Sequence, residues 1–441
     1  MKKQLIQART LSGFRDILPI DSIAKEDMIS KLKSAFRSFG FVPIETPHLE
    51  YSEILVGKGS DEIQKEMYRF FDHGNRDIAL RFDHTIPLAR FVVEHKDKLA
   101  FPFKRYVVGN VFRGERAQAG RFREFTQCDF DFIGTKSILA DTEIIQLVSS
   151  SLNSLGITDF TIFINHRKIL NGLAEHLGVS EKLEDILRIV DKIGKIGAEQ
   201  VRNLLGNELG LSEKICEEIL DFINLKQDKG EPDFFEKIDK YKGYNPRMKE
   251  GIEELKEIYS LLSEISDESH YIIDFSIARG LAYYTGVVFE TILNEIPQIG
   301  SVSSGGRYDN LTKSFSEEQY PGVGGSIGLD RLIVALEQLG KVHSKGTTAN
   351  VLLTNMGDSL IKPALILAKG LREAGISIEI YPEAGKLGKQ FKYADKKGHK
   401  FVVVLGEDEV KNENFTLKNM QTGEQITIKN LENLLFELKK I

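Results

Sequence analysis

Four arginines, Arg113, Arg116, Arg121 and Arg123, fall in the stretch VFRGERAQAGRFREFTQCDFDF at residues 111–132, among apolar residues at strand-like spacing. A buried guanidinium without a partner is costly, so this density of charge in a partly buried segment predicts an anionic ligand. Beyond Arg121 the side chains alternate between two faces. Arg123, Phe125, Gln127, Asp129 and Asp131 share one; Phe122, Glu124, Thr126, Cys128, Phe130 and Phe132 share the other, more apolar one. The first face offers an aromatic plate, an amide and two carboxylates along roughly 20 Å of strand. It suits a ligand with a flat ring, a charged amine and a polar edge. The alternative is a solvated sheet face crossed by ion pairs.

Other stretches carry residues of the same kind. LRFDHTIPLARF puts Arg81 and Asp83 on one strand face, followed by Thr85; Asp83 would receive an ammonium group, or else cap the helix that follows. In FSIARGLAYYTGVVFE, Arg279 precedes Gly280, and Tyr283 and Tyr284 follow. A glycine beside an arginine lets backbone approach a ligand while the guanidinium grips an anion; a loop salt bridge is the plainer reading. SSGGRYDNL, with two glycines before Arg307, is by itself an ordinary turn. GVGGSIGLDRL sets glycines before a helix with Arg331 in its first turn, where the side chain would cover a ring or pair with phosphate. Neither the dinucleotide fingerprint nor a G-x-x-x-x-G-K-[ST] phosphate loop occurs. GKLGKQFKYADKKGHKF carries Lys386, Lys389, Lys392, Lys396, Lys397 and Lys400 against Asp395. Spacings of three and four place several on one helical face, fit for an RNA backbone, or simply for water, with Leu387, Phe391 and Ala394 packed inward.

These residues need a scaffold, and 441 residues with 41% apolar content allow about three domains. Apolar spacing predicts a helix over residues 22–39, stopped by Gly40. FVPIETPHLE, DIALRFD, FKRYVVGNVFRG and FREFTQCDFDFIG read as strands of an antiparallel sheet. Residues 166–265 are predicted to be a helical insertion, built from amphipathic stretches such as EKLEDILRIVDKIGKIGAEQVRNLL. Strand signals return at YIIDFS, AYYTGVVFETIL and GSVSSGGRYD, so residues 1–165 and 266–340 form one sheet domain around it. Residues 341–349 read as a linker, and 350–441 as a small α/β domain with a largely parallel sheet. Two cysteines, Cys128 and Cys216, are too few and too far apart for a disulfide framework or a zinc site, which suits a reducing cytoplasm. No apolar run approaches the ~20 residues of a membrane span, and the basic N-terminus lacks the apolar core of a signal peptide. With a net charge of −6, any nucleic-acid contact must come from local patches.

In this order the stretches resemble a class II aminoacyl-tRNA synthetase, specifically the histidyl-tRNA synthetases, over nearly the whole chain. SFGFVPIETPHLE, through Pro47, is similar to the first class motif, used for dimerisation; NVFRGERAQAGRFREF to the second; GVGGSIGLDRL to the third. RGLAYYTGVVFE and SSGGRYD are the histidine-specific signals, and the class I signatures H-I-G-H and K-M-S-K-S are absent. The resemblance implies an α+β fold: an antiparallel-sheet catalytic domain with a helical insertion, then a C-terminal α/β anticodon-binding domain. It implies activation of histidine with ATP, transfer to the 3′ end of tRNA(His), Mg²⁺ on the phosphates and a cytoplasmic homodimer. By position it assigns Arg113 to the ATP α-phosphate, Phe125 and Arg331 to the two faces of adenine, and Arg121 to the terminal phosphates. Asp83, Thr85 and Gln127 would hold the histidine ammonium; Asp131, Tyr283 and Tyr284 would read the imidazole. Arg279 would join Arg113 as the catalytic pair, touching the histidine carboxylate and the α-phosphate together. Gln118 and the lysines Lys389, Lys392 and Lys396 are the tRNA candidates. Two departures stand out: Ala282 replaces the aspartate of the usual R-G-L-D-Y-Y, and Asp131 is shorter than the glutamate often found there.

The implied chemistry needs no covalent intermediate and no general base, because the attacking carboxylate is already ionised. It needs positioning and preorganised positive charge, since two anions must meet. Two alternatives share the resemblance: the synthetase-like regulatory subunit of ATP phosphoribosyltransferase, and a non-catalytic tRNA-sensing module. The retained Arg113, Arg279 and Arg331 and the C-terminal domain of about 90 residues argue against both.

Overall fold

The computed structural model describes residues 6–56, 65–116, 120–191, 193–229, 231, 233–277, 284–342 and 346–440. The chain divides into two compact units, Met1–Arg15 with Ile29–Lys341, and Asp16–Met28 with Val342–Ile441. In the first unit the strands are β1 (Val42–Pro43), β2 (Leu49–Tyr51), β3 (Arg69–Phe71), β4 (Asp77–Leu80), β5 (Phe103–Phe112), β6 (Glu124–Ile133), β7 (Phe160–His166), β8 (Tyr271–Ile273), β9 (Val287–Leu293), β10 (Ser303–Tyr308) and β11 (Gly322–Gly328). Eight form one sheet in the order β1-β5-β6-β11-β10-β9-β7-β8. Its interior pairings are antiparallel; β1 on β5 and β8 on β7 are parallel.

Alternation does the local work. In β5 and β6, Tyr106, Cys128 and Phe130 are buried on the apolar side. The helix Pro19–Ser38 lays Phe36 against them, with ring centroids 5.5 Å from Tyr106 and 5.2 Å from Phe130. The helix Ile138–Ser154 packs Ile144, Ile145, Leu147, Val148 and Leu152 out of solvent. Side chains on the opposite side of β6 are thereby left facing a cavity.

The sequence reading needs several corrections here. FVPIETPHLE is not one strand: β1 and β2 belong to different sheets, with a break around Pro47. DIALRFD ends as a strand at Leu80, and β4 pairs with β2 and β3 in a separate three-stranded sheet, not with β5. The long amphipathic stretch after residue 181 is three helices, Leu183–Val190, Ile193–Ile196 and Ala198–Leu209. Gly197, at φ 80°, makes the last break. Together with Glu213–Ile223 they enclose a core of Leu187, Ile189, Val190, Val201, Leu205 and Ile219. After Phe234–Asp239 and Pro246–Ile265 the chain re-enters the sheet at β8.

The second unit holds β12 (Val351–Leu353), β13 (Ile378–Ile380), β14 (Phe401–Val404), β15 (Asn414–Asn419) and β16 (Gln425–Lys429) in the order β13-β12-β14-β15-β16. The first three are parallel; β15 and β16 are antiparallel. The expected largely parallel sheet is therefore mixed. Its last two strands escaped the sequence reading although Phe415, Leu417, Ile426 and Ile428 alternate around a turn at Gly423, φ 76°. Helices Ile361–Glu373 and Leu431–Lys439 cover it with Ala364, Leu367, Ala368, Leu371, Leu434 and Leu438. Among the described residues no helix is long and apolar enough to cross a membrane.

Candidate functional site

On the polar side of β6, β10 and β11 lies a cavity of about 500 Å³. Asp83, Thr85, Arg113, Arg121, Phe125, Gln127, Asp131, Tyr284 and Arg331 all line it, so residues spread over some 250 positions meet in one place. Arg279, Tyr283 and Gln118 lie outside the described residues.

The floor is acidic. The register of β5 on β6 sets Arg105 opposite Asp131, and that of β6 on β11 sets Asp131 opposite Gly324 and Asp129 opposite Ser326. Arg105 is fully buried and lies 2.6 Å from Asp131 Oδ2, at an angle that falls short of a hydrogen bond. Tyr308 donates its hydroxyl to Asp131 Oδ1. Burial pushes the Asp131 carboxyl up, and Arg105 and Tyr308 hold it back. Asp83 precedes the helix Thr85–His95; its Oδ1 accepts the Ile86 N–H at 3.2 Å, while its buried Oδ2 has no hydrogen-bond partner. Asp83 therefore holds the start of the helix through the Ile86 N–H, as a helix-end aspartate does, and also lines the cavity. Burial raises it to about 6, opposed by the Ile86 N–H and by Arg113. Burial likewise raises Asp129 to about 7, offset mainly by Arg105.

The rim is basic and wetter. Arg113 is a third exposed; its Nε donates to Phe82 O at 3.1 Å, and its guanidinium carbon lies 5.2 Å from the centroid of Phe125. Glu115 stands between Arg113 and Arg121, at 3.9 and 3.6 Å. Arg331, in the first turn of the helix Leu329–Gln338, donates to Ser301 O. That helix is pinned by Asp330, whose Oδ2 accepts the Thr126 N–H at 2.6 Å and whose Oδ1 takes Arg15. A cavity with a carboxylate floor and a guanidinium rim can hold a zwitterion with its ammonium inward and its carboxylate toward a polyanion.

Some singled-out residues serve the frame instead. Arg123 lies before β6 and off the cavity, donating to Glu115 O and Ser12 O. Arg81 lies beyond the end of β4 and staples backbone, donating to Asn110 O at 2.9 Å and Thr46 O at 2.7 Å. Arg307 clamps Asp141 with three hydrogen bonds. The glycines of GVGGSIG lie in β11, where Gly324 makes room for the Asp131 carboxylate: a Cβ there would collide with it. Sequence reasoning gave no role to Arg105, Ser326, Tyr308 or Asp129. The Asp129 signal was present, since it shares the face of Gln127 and Asp131; Arg105 and Tyr308 became legible only through the strand register.

In the second unit the helix Leu387–Lys397 turns Ala394, Leu387 and Phe391 into an apolar cluster with Leu352, Tyr381, Val402 and Val404. Lys389, Lys392 and Lys396 are exposed on it, and Lys389 makes a 3.2 Å contact with Glu383. Lys386 precedes the helix. Gln390 staples it to the segment that follows β12, donating to Asn355 O at 2.7 Å and accepting from Asn355 N at 2.9 Å.

A family model described as histidyl-tRNA synthetase matches residues 13–332, and one described as anticodon binding domain matches residues 350–441. Histidine–tRNA ligase of Wolinella succinogenes is 56% identical over 427 residues, covering 96% of this chain and 97% of that protein. The same enzyme of Helicobacter hepaticus is 54% identical over 426 residues, covering 96% of each. The solved histidyl-tRNA synthetase of Nostoc sp. PCC 7120 superposes with a TM-score of 0.89 at 36% identity, covering 99% of this chain and 100% of that one. An ATP phosphoribosyltransferase regulatory subunit/histidyl-tRNA synthetase from Bacillus halodurans C shares the fold, with a TM-score of 0.73 at 23% identity over 88% of this chain and 97% of that one. Matched across both units and along nearly its full length, the chain belongs to the histidyl-tRNA synthetase family.

Proposed function

We propose that this chain is a histidine–tRNA ligase that condenses histidine with ATP to histidyl-adenylate and pyrophosphate, then transfers histidine to the 3′ end of tRNA(His). The observation that carries the reading is the polarity of the cavity, with buried Asp83, Asp129 and Asp131 beneath partly exposed Arg113 and Arg121. The histidine ammonium sits on Asp83, Thr85 and Gln127. Asp131, oriented by Tyr308 and Arg105, accepts the imidazole N–H alongside Tyr283 and Tyr284. Apolar amino acids are rejected because they leave a buried acid unpaired. Phe125 and Arg331 enclose the adenine; Arg121 meets the terminal phosphates. Arg113 and Arg279 take the charge that gathers on the α-phosphoryl oxygens as the histidine carboxylate attacks and pyrophosphate leaves.

Among the described residues no cluster of three or more His, Cys, Asp or Glu side chains is placed to hold a metal. The single carboxylates along the cavity, Glu66, Glu115 and Glu290, suit Mg²⁺ that arrives on phosphates and keeps much of its water; bound so, it would neutralise the leaving pyrophosphate. The enzyme works as a cytoplasmic homodimer. The C-terminal unit binds the anticodon arm.

Histidine-dependent exchange of labelled pyrophosphate into ATP tests the reading: folded protein with no exchange would favour the regulatory-subunit or tRNA-sensing alternative. Three further results are expected. Histidine binding tightens from about pH 5.5 to about pH 7.5, as Asp83 and Asp129 ionise to meet the ammonium, by more than the ligand's own imidazole (pKa ~6.5) accounts for. Calorimetry reads this, and a flat profile counts against it. Gly324→Ala forces Asp131 aside and raises the KM for histidine roughly 10- to 100-fold, the effect of about 1–3 kcal/mol of overpacking; an unchanged KM removes Asp131 from the site. Replacing Lys389, Lys392 and Lys396 together by alanine leaves exchange intact but weakens tRNA binding and flattens its salt dependence by ~1 in log–log slope per lysine. A slope equal to the parent's assigns those lysines to water.

A further inference from the structure

Five buried oxygens of cavity-lining residues have no hydrogen-bond partner: Asp131 Oδ2, which has Arg105 at 2.6 Å, the Ser303 hydroxyl, and three acceptors, Asp83 Oδ2, Gln127 Oε1 and Asp129 Oδ1. Asp83 and Asp129 are each 4% exposed, and all three residues line the same cavity. An unmet buried acceptor is expensive. Three of them together are the complement of a group with three N–H donors and a positive charge. Two of these residues already have a place in the proposed ammonium site. We propose that Asp129 is a further specificity-determining residue of this reaction, the second carboxylate that receives the amino-acid ammonium, so that the ammonium lies between two acids instead of beside one. This rests on the ligase reading given above.

The surroundings of Asp129 separate it from Asp131. Asp131 has its own supports, the Tyr308 hydroxyl on one oxygen and Arg105 at 2.6 Å from the other. Asp129 has the Ser326 hydroxyl, which also accepts from Gln127 Nε2 at 2.9 Å, and its Oδ1 has nothing. The charges that act on it are Arg105 from β5, Arg81 from beyond β4, Asp83 from the adjoining turn and Asp131 from its own strand. Three acids, Asp83, Asp129 and Asp131, thus stand against two buried arginines, Arg81 and Arg105, and the arriving ammonium supplies the missing positive charge. Ser326 links the side chains of Gln127 and Asp129, which lie on one face of β6 and line the same cavity.

The test is Asp129→Asn in the full-length chain, with a small ligand series. Histidine and histidinol carry the ammonium; 3-(imidazol-4-yl)propionate lacks it. Removing a charged hydrogen-bond partner is expected to weaken histidine and histidinol roughly 10- to 100-fold, while the propionate and the KM for ATP stay within about threefold. Because the unliganded site no longer buries an unpaired acid, the variant is expected to melt at the same temperature as the parent or higher at pH 8. Equal losses for all three ligands, no loss for any, or a variant less stable than the parent would each overturn the proposal by making Asp129 a structural residue. Exchange by the unaltered chain, run in parallel with and without histidine, tests the ligase reading separately: its absence sinks that reading, whereas its presence with an unaffected Asp129→Asn variant sinks only this one.

Discussion

Replacing Arg113 by alanine is expected to slow histidine-dependent pyrophosphate exchange by about two to three orders of magnitude, the cost of removing one preorganised donor from a developing oxyanion. Arg113 is presented for that task. Its Nε is fixed by Phe82 O, its guanidinium carbon lies 5.2 Å from the centroid of Phe125, and its ion pair with Glu115 is long, at 3.9 Å, and partly solvated. Two anions must approach within bonding distance in the first step, and only positive charge already in place removes that repulsion without reorganisation. The loss should fall on kcat more than on the KM for histidine, because the contact strengthens as charge builds on the phosphoryl oxygens. Lysine at this position should rescue poorly, since a point charge lacks the guanidinium fork. The variant should fold: the side chain is partly solvated and donates one hydrogen bond to a backbone carbonyl, worth about 1.5–3 kcal/mol for a charged donor. Turnover near that of the parent, with unchanged melting, would remove Arg113 from the reaction.

The second large effect is on stability. Arg307 and Asp141 form a buried, two-point ion pair, at 2.8 and 2.9 Å, and the same guanidinium donates to Thr135 O and Ser137 O at the start of the helix Ile138–Ser154. Arg307→Ala strands the buried Asp141 carboxylate near Glu254 and Asp309 with no guanidinium to meet it, and the expected loss is about 3–5 kcal/mol, comparable to the whole margin of a marginal domain. The sign with pH follows from Asp141, which burial raises to about 6 even with Arg307 beside it. Without the arginine it rises further, so the charged form is the costly one. The deficit should shrink in acid, where the carboxyl is protonated, and grow as pH climbs past about 6. Urea unfolding at two pH values reads this. A double variant, Arg307→Met with Asp141→Leu, should recover much of the loss, because an apolar pair removes the stranded charge. A single variant as stable as the parent at pH 8 would show that the pair is not what holds the helix to β10.

These two arginines mark what one-dimensional reading can reach. Both stand beside glycines or in charged segments, and the sequence alone cannot say which one meets a ligand and which one meets a carboxylate 166 residues away. Resemblance to a known family separated them for Arg113. For Arg307 only the register of β10 against the helix at Ile138–Ser154 did so. The errors have the same origin. The strand at 77–80 was recognisable, but its partner was not, because an alternating pattern fixes a face and not a neighbour. β15 and β16 were passed over although they alternate, since their outward positions carry Thr, Gln and Lys and their apolar signal is thin.

The sequence by itself determined the class of chemistry. Alternation along residues 122–132 put an aromatic ring, an amide and carboxylates on one side of a strand, and the order of the arginine-bearing stretches named the family, because both are local properties carried by residue type and spacing. Tertiary structure alone decided the charge of the site. Arg105, Tyr308 and Gly324 come from β5, β10 and β11, and only the pairing of those strands sets a guanidinium, a hydroxyl and an open space around Asp131 while leaving one buried oxygen each of Asp83 and Asp129 without a hydrogen-bond partner. Burial and counter-ions are properties of the packed sheet, which is why the charge that surrounds a carboxylate is legible only in the fold.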